Sequence, residues 1–302
     1  MKIFPVKIDQ ASIFAVSGEL AAESGWDFSP QQFSVGIAAK MLRGIKGLIF
    51  DFDGTLYDNA RIPLYLIAAN PLDWRRIWKE RLVRKSFAGC DFAGADEYHS
   101  AFFAALGKIC GRSPQRARNW YFNRYIPRMA RVLKKHYQCR PGGQDLLRRL
   151  NDGGLRVAVY SDYPALKERM EAIGLPTSPQ VPLYGPESFG AQKPAERPFR
   201  EIAGNLGLAP EEVLVIGDRE DTDGLGAFRA GMHFFCLETG RKRYIRLDPN
   251  RRRTKEKPQG PSLLMYAGTW DDIRALLMER LGAAKSAVPL QIAKFDPRNI
   301  RR

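Results

Sequence analysis

Three short apolar runs in this chain each stop at a side chain able to do chemistry. Leu48-Ile49-Phe50 stops at Asp51, Val157-Ala158-Val159-Tyr160 at Ser161, and Val213-Leu214-Val215-Ile216-Gly217 at Asp218. Uninterrupted apolar runs this short, bounded by turn residues, read as strands buried on both faces. Helical patterns over residues 144–150, 164–173, 197–206 and 224–230 separate or follow them. Further strands are expected at 181–184, 233–237 and 263–267, and a last helix opens at Thr269-Trp270-Asp271-Asp272 and runs to about residue 281. Strands alternating with helices imply a parallel sheet covered by helices on both faces, a Rossmann-like α/β fold. Ligands bind such sheets outside the carboxyl ends of the strands. Asp51, Ser161 and Asp218 can therefore meet at one edge.

The first run continues as Asp51-Phe52-Asp53-Gly54-Thr55. Two carboxylates two residues apart are relieved by a cation or by a shared proton. The plain alternative is a turn with two solvated acids, because Asp-Gly pairs mark turns widely. Further along stand Ser161-Asp162, then Gln192-Lys193-Pro194 ahead of a helix, then Gly217-Asp218 with Asp221 and Asp223 after it. Each is weak alone. In this order, the four motifs resemble those of the haloacid dehalogenase-like hydrolase superfamily, in its phosphatase branch with a helical cap between the first and second motifs. The resemblance covers residues 44–237 and runs more loosely to about 281.

That resemblance implies a mechanism. Asp51 would be the nucleophile and form an aspartyl-phosphate, and Asp53 the general acid and base. Dehalogenases lack the second Asp, so its presence favours phosphoryl transfer. Asp51, Asp218 and the backbone carbonyl of Asp53 would bind Mg²⁺. Asp223, with Asp221 as the weaker candidate, would orient a water or Lys193 from behind the metal ligands. Ser161 and Lys193 would bind the substrate phosphate, and Thr55 would help position Asp53 and the phosphate. The expected function is a Mg²⁺-dependent phosphomonoesterase acting on a small phosphorylated metabolite. A sugar phosphomutase on the same scaffold is one alternative. A non-catalytic protein that binds nucleic acid or a partner is another, and the intact motif set disfavours it.

By the same resemblance the chain divides into an α/β core over 44–58 and 141–282 and a helical cap over 59–140, flanked by an N-terminal extension, 1–43, and a tail, 283–302. In the insertion, Asp73 is expected to cap a helix carrying Trp74 and Trp78. Tyr98, Phe102, Leu106 and Cys110 share one helix face, and Ser113-Pro114 opens a long helix whose aromatics Trp120, Tyr121, Phe122 and Tyr125 are expected core. In the extension, residues 13–16 suggest a strand and 32–43 a helix, and Met41 is a candidate natural start.

Composition narrows the setting. No apolar run is long enough to span a membrane, and Asp9, Glu19 and Glu23 break up the N-terminal patches, against a secretory signal. Four scattered cysteines and three scattered histidines have neither disulfide-framework nor zinc spacing, so free thiols in a reducing cytoplasm are expected. The net charge is +15. Residues 240–257 hold nine Lys or Arg against Asp248 and Glu256, a net of +7. As a solvated loop this needs no function. As a functional segment it would steer anionic substrates. Neutralising Arg251, Arg252 and Arg253 should then raise KM at low salt, and unchanged low-salt kinetics would refute steering.

Overall fold

A computed structural model of the chain describes residues 42–238, 265–282 and 293–294. The expected strand at 13–16, most of the helix at 32–43, Met41 and the basic segment 240–257 lie outside them. Leu42–Gly44 forms a 3₁₀ turn.

The described strands form one sheet in the order β3-β2-β1-β4-β5-β6-β7. They are β1 Gly47–Asp51, β2 Arg156–Tyr160, β3 Leu183–Tyr184, β4 Val213–Gly217, β5 His233–Leu237, β6 Met265–Gly268 and β7 Ala293–Lys294. β1 to β6 are parallel, and β7 runs antiparallel beside β6. The strand order reverses direction between β1 and β4. At that switch point the two neighbouring crossovers leave in opposite senses and open a crevice.

Successive residues of a strand face opposite sides, and the core divides accordingly. Leu48, Phe50, Val157, Val159, Leu214 and Ile216 belong to one apolar cluster, and Ile49, Ala158, Tyr160, Val213 and Val215 to the other. The first cluster is closed by Leu146 and Leu150 of the helix Gly143–Asp152, Met170 of Leu166–Ala172 and Ile273 of Trp270–Arg280. The second is closed by Phe199 and Ile202 of Glu196–Asn205 and by Ala227 and Ala230 of Leu225–Ala230. Burial on both faces explains why the strands are continuously apolar rather than alternating. Thr269 caps the last helix, its hydroxyl accepting from Asp272 N at 3.2 Å.

Between β1 and β2 stands a helical insertion: α1 Ile62–Ala68, α2 Trp74–Ser86, α3 Ala95–Cys110, α4 Pro114–Trp120, a π-helical turn Tyr121–Tyr125, and α5 Ile126–His136. Its interior continues the first apolar cluster through Tyr98, Phe102, Leu106, Trp120, Tyr121 and Tyr125. Ser113 caps α4 as expected, accepting from Arg116 N at 3.3 Å.

Asp73 does not cap α2 in the expected way: its side chain makes no capping hydrogen bond. The carboxylate instead accepts from Trp120 Nε1 at 3.1 Å and pairs with Arg76 at 3.0 Å and Arg128 at 3.2 Å. A buried indole N–H and two cations outweigh the exposed amides of a helix end. Trp74 and Trp78 lie on the exposed side of α2, whose buried side carries Ile77, Glu80 and Val83.

Candidate active site

β1 ends with Asp51 buried at the switch point. Two donors hold its carboxylate. Thr55 Oγ1 donates to Oδ2 at 2.9 Å, and Lys193 Nζ donates to Oδ1 at 2.6 Å. Lys193 is itself buried, with Nζ also 2.8 Å from Asp223 Oδ1 and 3.1 Å from the Tyr160 carbonyl. The loop that carries it is fixed by its backbone N–H, which donates to Asp162 Oδ1 at 3.1 Å. Thr55 thus serves Asp51, whereas the sequence pattern assigns it to Asp53 and the phosphate. The turn after Asp53 brings its hydroxyl back over the end of β1.

Asp218 follows β4, next to β1. Gly54, with φ 103°, is packed against it: a Cβ added there would lie 2.3 Å from Asp218 Oδ2. Only glycine supplies both this backbone conformation and this approach. Asp51, Asp218 and Asp223 each bring a ligand oxygen within 4.8 Å of the others. Burial first, then the Asp223 charge, pushes the Asp51 carboxyl up to about 7 despite Lys193. Burial and the Asp51 charge push Asp218 up to about 7, and burial pushes Asp223 up to about 6. Among the described residues Asp218 Oδ1 is buried without a hydrogen-bond partner. Three crowded carboxylates, one with an orphaned oxygen and, among the described residues, Lys193 as the one buried cation in contact with them, fit a hard divalent cation with oxygen ligands.

The cluster has a pH signature. A carboxyl raised in the folded state keeps its proton there longer than in the unfolded chain. Stability therefore falls as pH climbs from about 4 to about 7 and levels off above. A divalent cation must displace those protons to bind, so it should stabilise the protein more at about pH 8 than at about pH 5.5. Thermal melts with and without Mg²⁺ read this directly. Saturation at ~100 times the dissociation constant adds about 2.7 kcal/mol. Equal shifts at both pH values would contradict the cluster as the cation site.

Asp53 lies apart from this cluster and in an opposite environment. Tyr57 OH donates to its Oδ1 at 2.6 Å, Ser161 Oγ donates to Oδ2 at 2.8 Å, and Arg169 Nη2 donates to both oxygens. Burial alone would push this carboxyl up. The Arg169 guanidinium, with Tyr57 and Ser161, outweighs burial and holds it below the usual range. The Asp53 carbonyl, expected as a metal ligand, accepts from Asn59 Nδ2 at 3.0 Å. Ser161, expected on the phosphate, spends its one hydrogen on Asp53 while accepting from Arg169 Nη1 at 3.0 Å and Tyr163 N at 3.1 Å.

Arg169 is a site residue that no sequence motif marks. It belongs to the helix Leu166–Ala172 and falls on its buried face with Leu166, Met170 and Ile173. A cation inside an apolar stripe was the available signal.

The insertion is fastened beside the same site. Arg84 of α2 donates to the Asp162 carbonyl at 2.6 Å and lies 3.9 Å over the Tyr163 ring, and Glu80, buried one turn earlier, takes its other nitrogens. Gly89 N donates to the Lys193 carbonyl at 3.1 Å, and Gln192 N donates to the Cys90 carbonyl at 3.0 Å.

The model of haloacid dehalogenase-like hydrolases matches residues 45–231, more than half of the chain, and the chain belongs to that family. Among curated relatives, a phosphoglycolate phosphatase of Chromobacterium violaceum is 27% identical over 59% of this chain and 78% of its own. A glyceraldehyde 3-phosphate phosphatase of Methanopyrus kandleri is 44% identical over 55 residues, which is 18% of this chain and only 24% of that relative. Among solved structures, a family hydrolase of Deinococcus radiodurans aligns with a TM-score of 0.47 at 21% identity, covering 81% of this chain and all of its own. Among the described residues no helix is long and apolar enough to cross a membrane.

Proposed function

We propose that this chain is a Mg²⁺-dependent phosphomonoesterase that hydrolyses a small phosphorylated metabolite through an aspartyl-phosphate on Asp51. The observation that carries this reading is the setting of Asp51: Thr55 and Lys193 hold its two oxygens at the switch point, and Asp218 and Asp223 bring ligand oxygens within 4.8 Å of it. Burial and the Asp223 charge raise its carboxyl to about 7, and a cation held by the cluster would favour the ionised form that attacks. Asp53, two residues on, is held by its own set of donors outside that cluster. Relatives named as phosphatases of phosphoglycolate and glyceraldehyde 3-phosphate support the substrate class.

Asp51, Asp218 and Asp223 are the side chains that would hold the cation. When bound, Mg²⁺ would neutralise the cluster and draw charge from the phosphoryl oxygens. Thr55 and Lys193 orient the Asp51 carboxylate for attack on phosphorus, and Lys193 offsets the anion–anion repulsion of that encounter. As the Asp51–phosphorus bond forms, the phosphorus–oxygen bond to the leaving group breaks and its electron pair departs with that oxygen. Asp53, ionised in the free protein, takes up the proton of a monoanionic phosphate ester and passes it to the departing oxygen. Asp53, then ionised, takes a proton from the water that attacks phosphorus, and Asp51 is released with inorganic phosphate. We place the helices of residues 62–136 over this site as a cap, on the support of the ties from Arg84 and Gly89 to the loops of Asp162 and Lys193. A metabolite screen for Mg²⁺-dependent phosphate release, with Asp51→Asn as control, tests the reading. Activity that survives in that variant would refute it.

A further inference from the structure

We propose that Arg169 is a positioning residue for this phosphoryl transfer: it fixes the direction of the Asp53 carboxylate so that Ser161 alone can move when a phosphate arrives. The inference rests on the phosphatase reading above and deepens it.

A carboxylate offers about four lone-pair positions. Asp53 fills them with four hydrogen bonds, one from Tyr57, one from Ser161 and two from Arg169. While all four stand, no position is left for the proton that Asp53 must carry to a leaving oxygen. One donor has to withdraw. Arg169 is the least able to do so. Its side chain is wholly enclosed, its guanidinium lies 4.8 Å from the Phe52 ring and 5.4 Å from the Tyr163 ring, and Nη1 donates to the Tyr163 carbonyl at 3.1 Å. Tyr57 is fully buried and packed against Phe52 with ring centroids 5.1 Å apart. Ser161 can turn its hydroxyl hydrogen from Asp53 towards an entering phosphoryl oxygen by giving up only the bond it accepts from Tyr163 N. That rotation vacates a position on Asp53 Oδ2 at the moment substrate is bound. Arg169 Nη1, which donates to Ser161 Oγ, keeps the serine oxygen in place through the change. Among the described residues Arg169 Nε has no partner, so the cost of burying this cation is met at its terminal nitrogens, chiefly by Asp53.

Arg169 therefore serves the proton transfer and not phosphate affinity, and leaving-group dependence separates the two. Phenyl phosphate expels a basic phenoxide that needs a proton. 4-Nitrophenyl phosphate, nearly the same shape, expels one that does not. In Arg169→Met, kcat on phenyl phosphate should fall about ten-fold or more beyond the fall on 4-nitrophenyl phosphate, within the roughly hundred- to ten-thousand-fold that a general acid contributes. KM for both should stay within about three-fold, because binding is not what is lost. Arg169→Lys, which keeps the charge but gives up the fork, should recover part of the difference. The ratio of the two rates in one sample does not depend on how much of the variant is folded, so a poorly folding variant still reports. With a wild type active on both substrates, equal losses on both would overturn the inference alone and leave Arg169 a structural residue. A rise confined to KM would overturn it in favour of a phosphate ligand. A wild type that hydrolyses neither substrate would overturn the phosphatase reading and this inference with it.

Discussion

Asp51→Asn should abolish turnover, by ~10⁴-fold or more, and yet leave the protein no less stable at neutral pH. The activity loss follows from chemistry. An amide of the same shape keeps its place between Thr55 and Lys193 but has no anion with which to attack phosphorus. The stability result follows from the electrostatics. The Asp51 carboxyl is pushed up to about 7 by burial and by Asp223, so its ionised form opposes folding above that pH. Removing the charge relieves Asp218 and Asp223, while Lys193 keeps its contact with Asp223. Thermal melts without divalent cation at about pH 8 should place the variant at or above the wild type. A large loss of stability there would mean that Asp51 is a structural anchor for Lys193 instead of a strained nucleophile. With Mg²⁺ the order should reverse, because the variant gives up one of the cation's carboxylates.

Lys193→Met should have the opposite stability effect together with a comparable loss of activity. Its ammonium is held in the charged form: burial opposes the charge, and Asp223 and Asp51 overcome that opposition and raise its pKa well above the usual range. A raised lysine contributes its stabilisation at every pH below its unfolded value, so the loss appears across the whole working range. Taking one partner from a buried ion cluster costs about 3–5 kcal/mol. The cost should shrink as pH falls from about 8 towards 5, because Asp51 and Asp223 can then take up protons in place of the missing cation. Chemical denaturation at the two pH values reads both the size and the trend. A cost that does not change with pH would show that lost packing, not unpaired charge, is responsible. Lys193→Arg should not rescue activity, since the slot matches a single nitrogen shared among Asp51, Asp223 and the Tyr160 carbonyl, not a planar fork.

What the sequence made legible was whatever local pattern controls. β4 and β5 coincide with the expected strands, and the end of β1 delivers Asp51 to the edge where Asp218 waits, because runs buried on both faces are apolar throughout. Aromatic burial in the insertion was equally readable from residues 98 to 125. Side-chain pairing across the fold was not. Asp73 leaves its expected helix end for Trp120 and Arg128, far along the chain. Thr55 turns back to Asp51, Ser161 turns to Asp53, and Arg169 closes on a carboxylate that lies more than a hundred residues earlier. β7 was unexpected: two residues of the weakly patterned tail pair antiparallel with β6, a contact set by the open edge of the sheet and not by any periodicity in the tail.

In the proposed reaction Asp51 carries the phosphoryl group. The direct measurement mixes the protein with Mg²⁺ and 4-nitrophenyl phosphate, quenches it in acid within the first turnover, and treats it with borohydride. Borohydride reduces an aspartyl-phosphate to homoserine, and peptide mass spectrometry locates the change. Homoserine is expected at position 51 and nowhere else, and none in Asp51→Asn. Reduction at Asp53 or Asp218, or steady release of phosphate with no reduced residue at position 51, would contradict that role of Asp51.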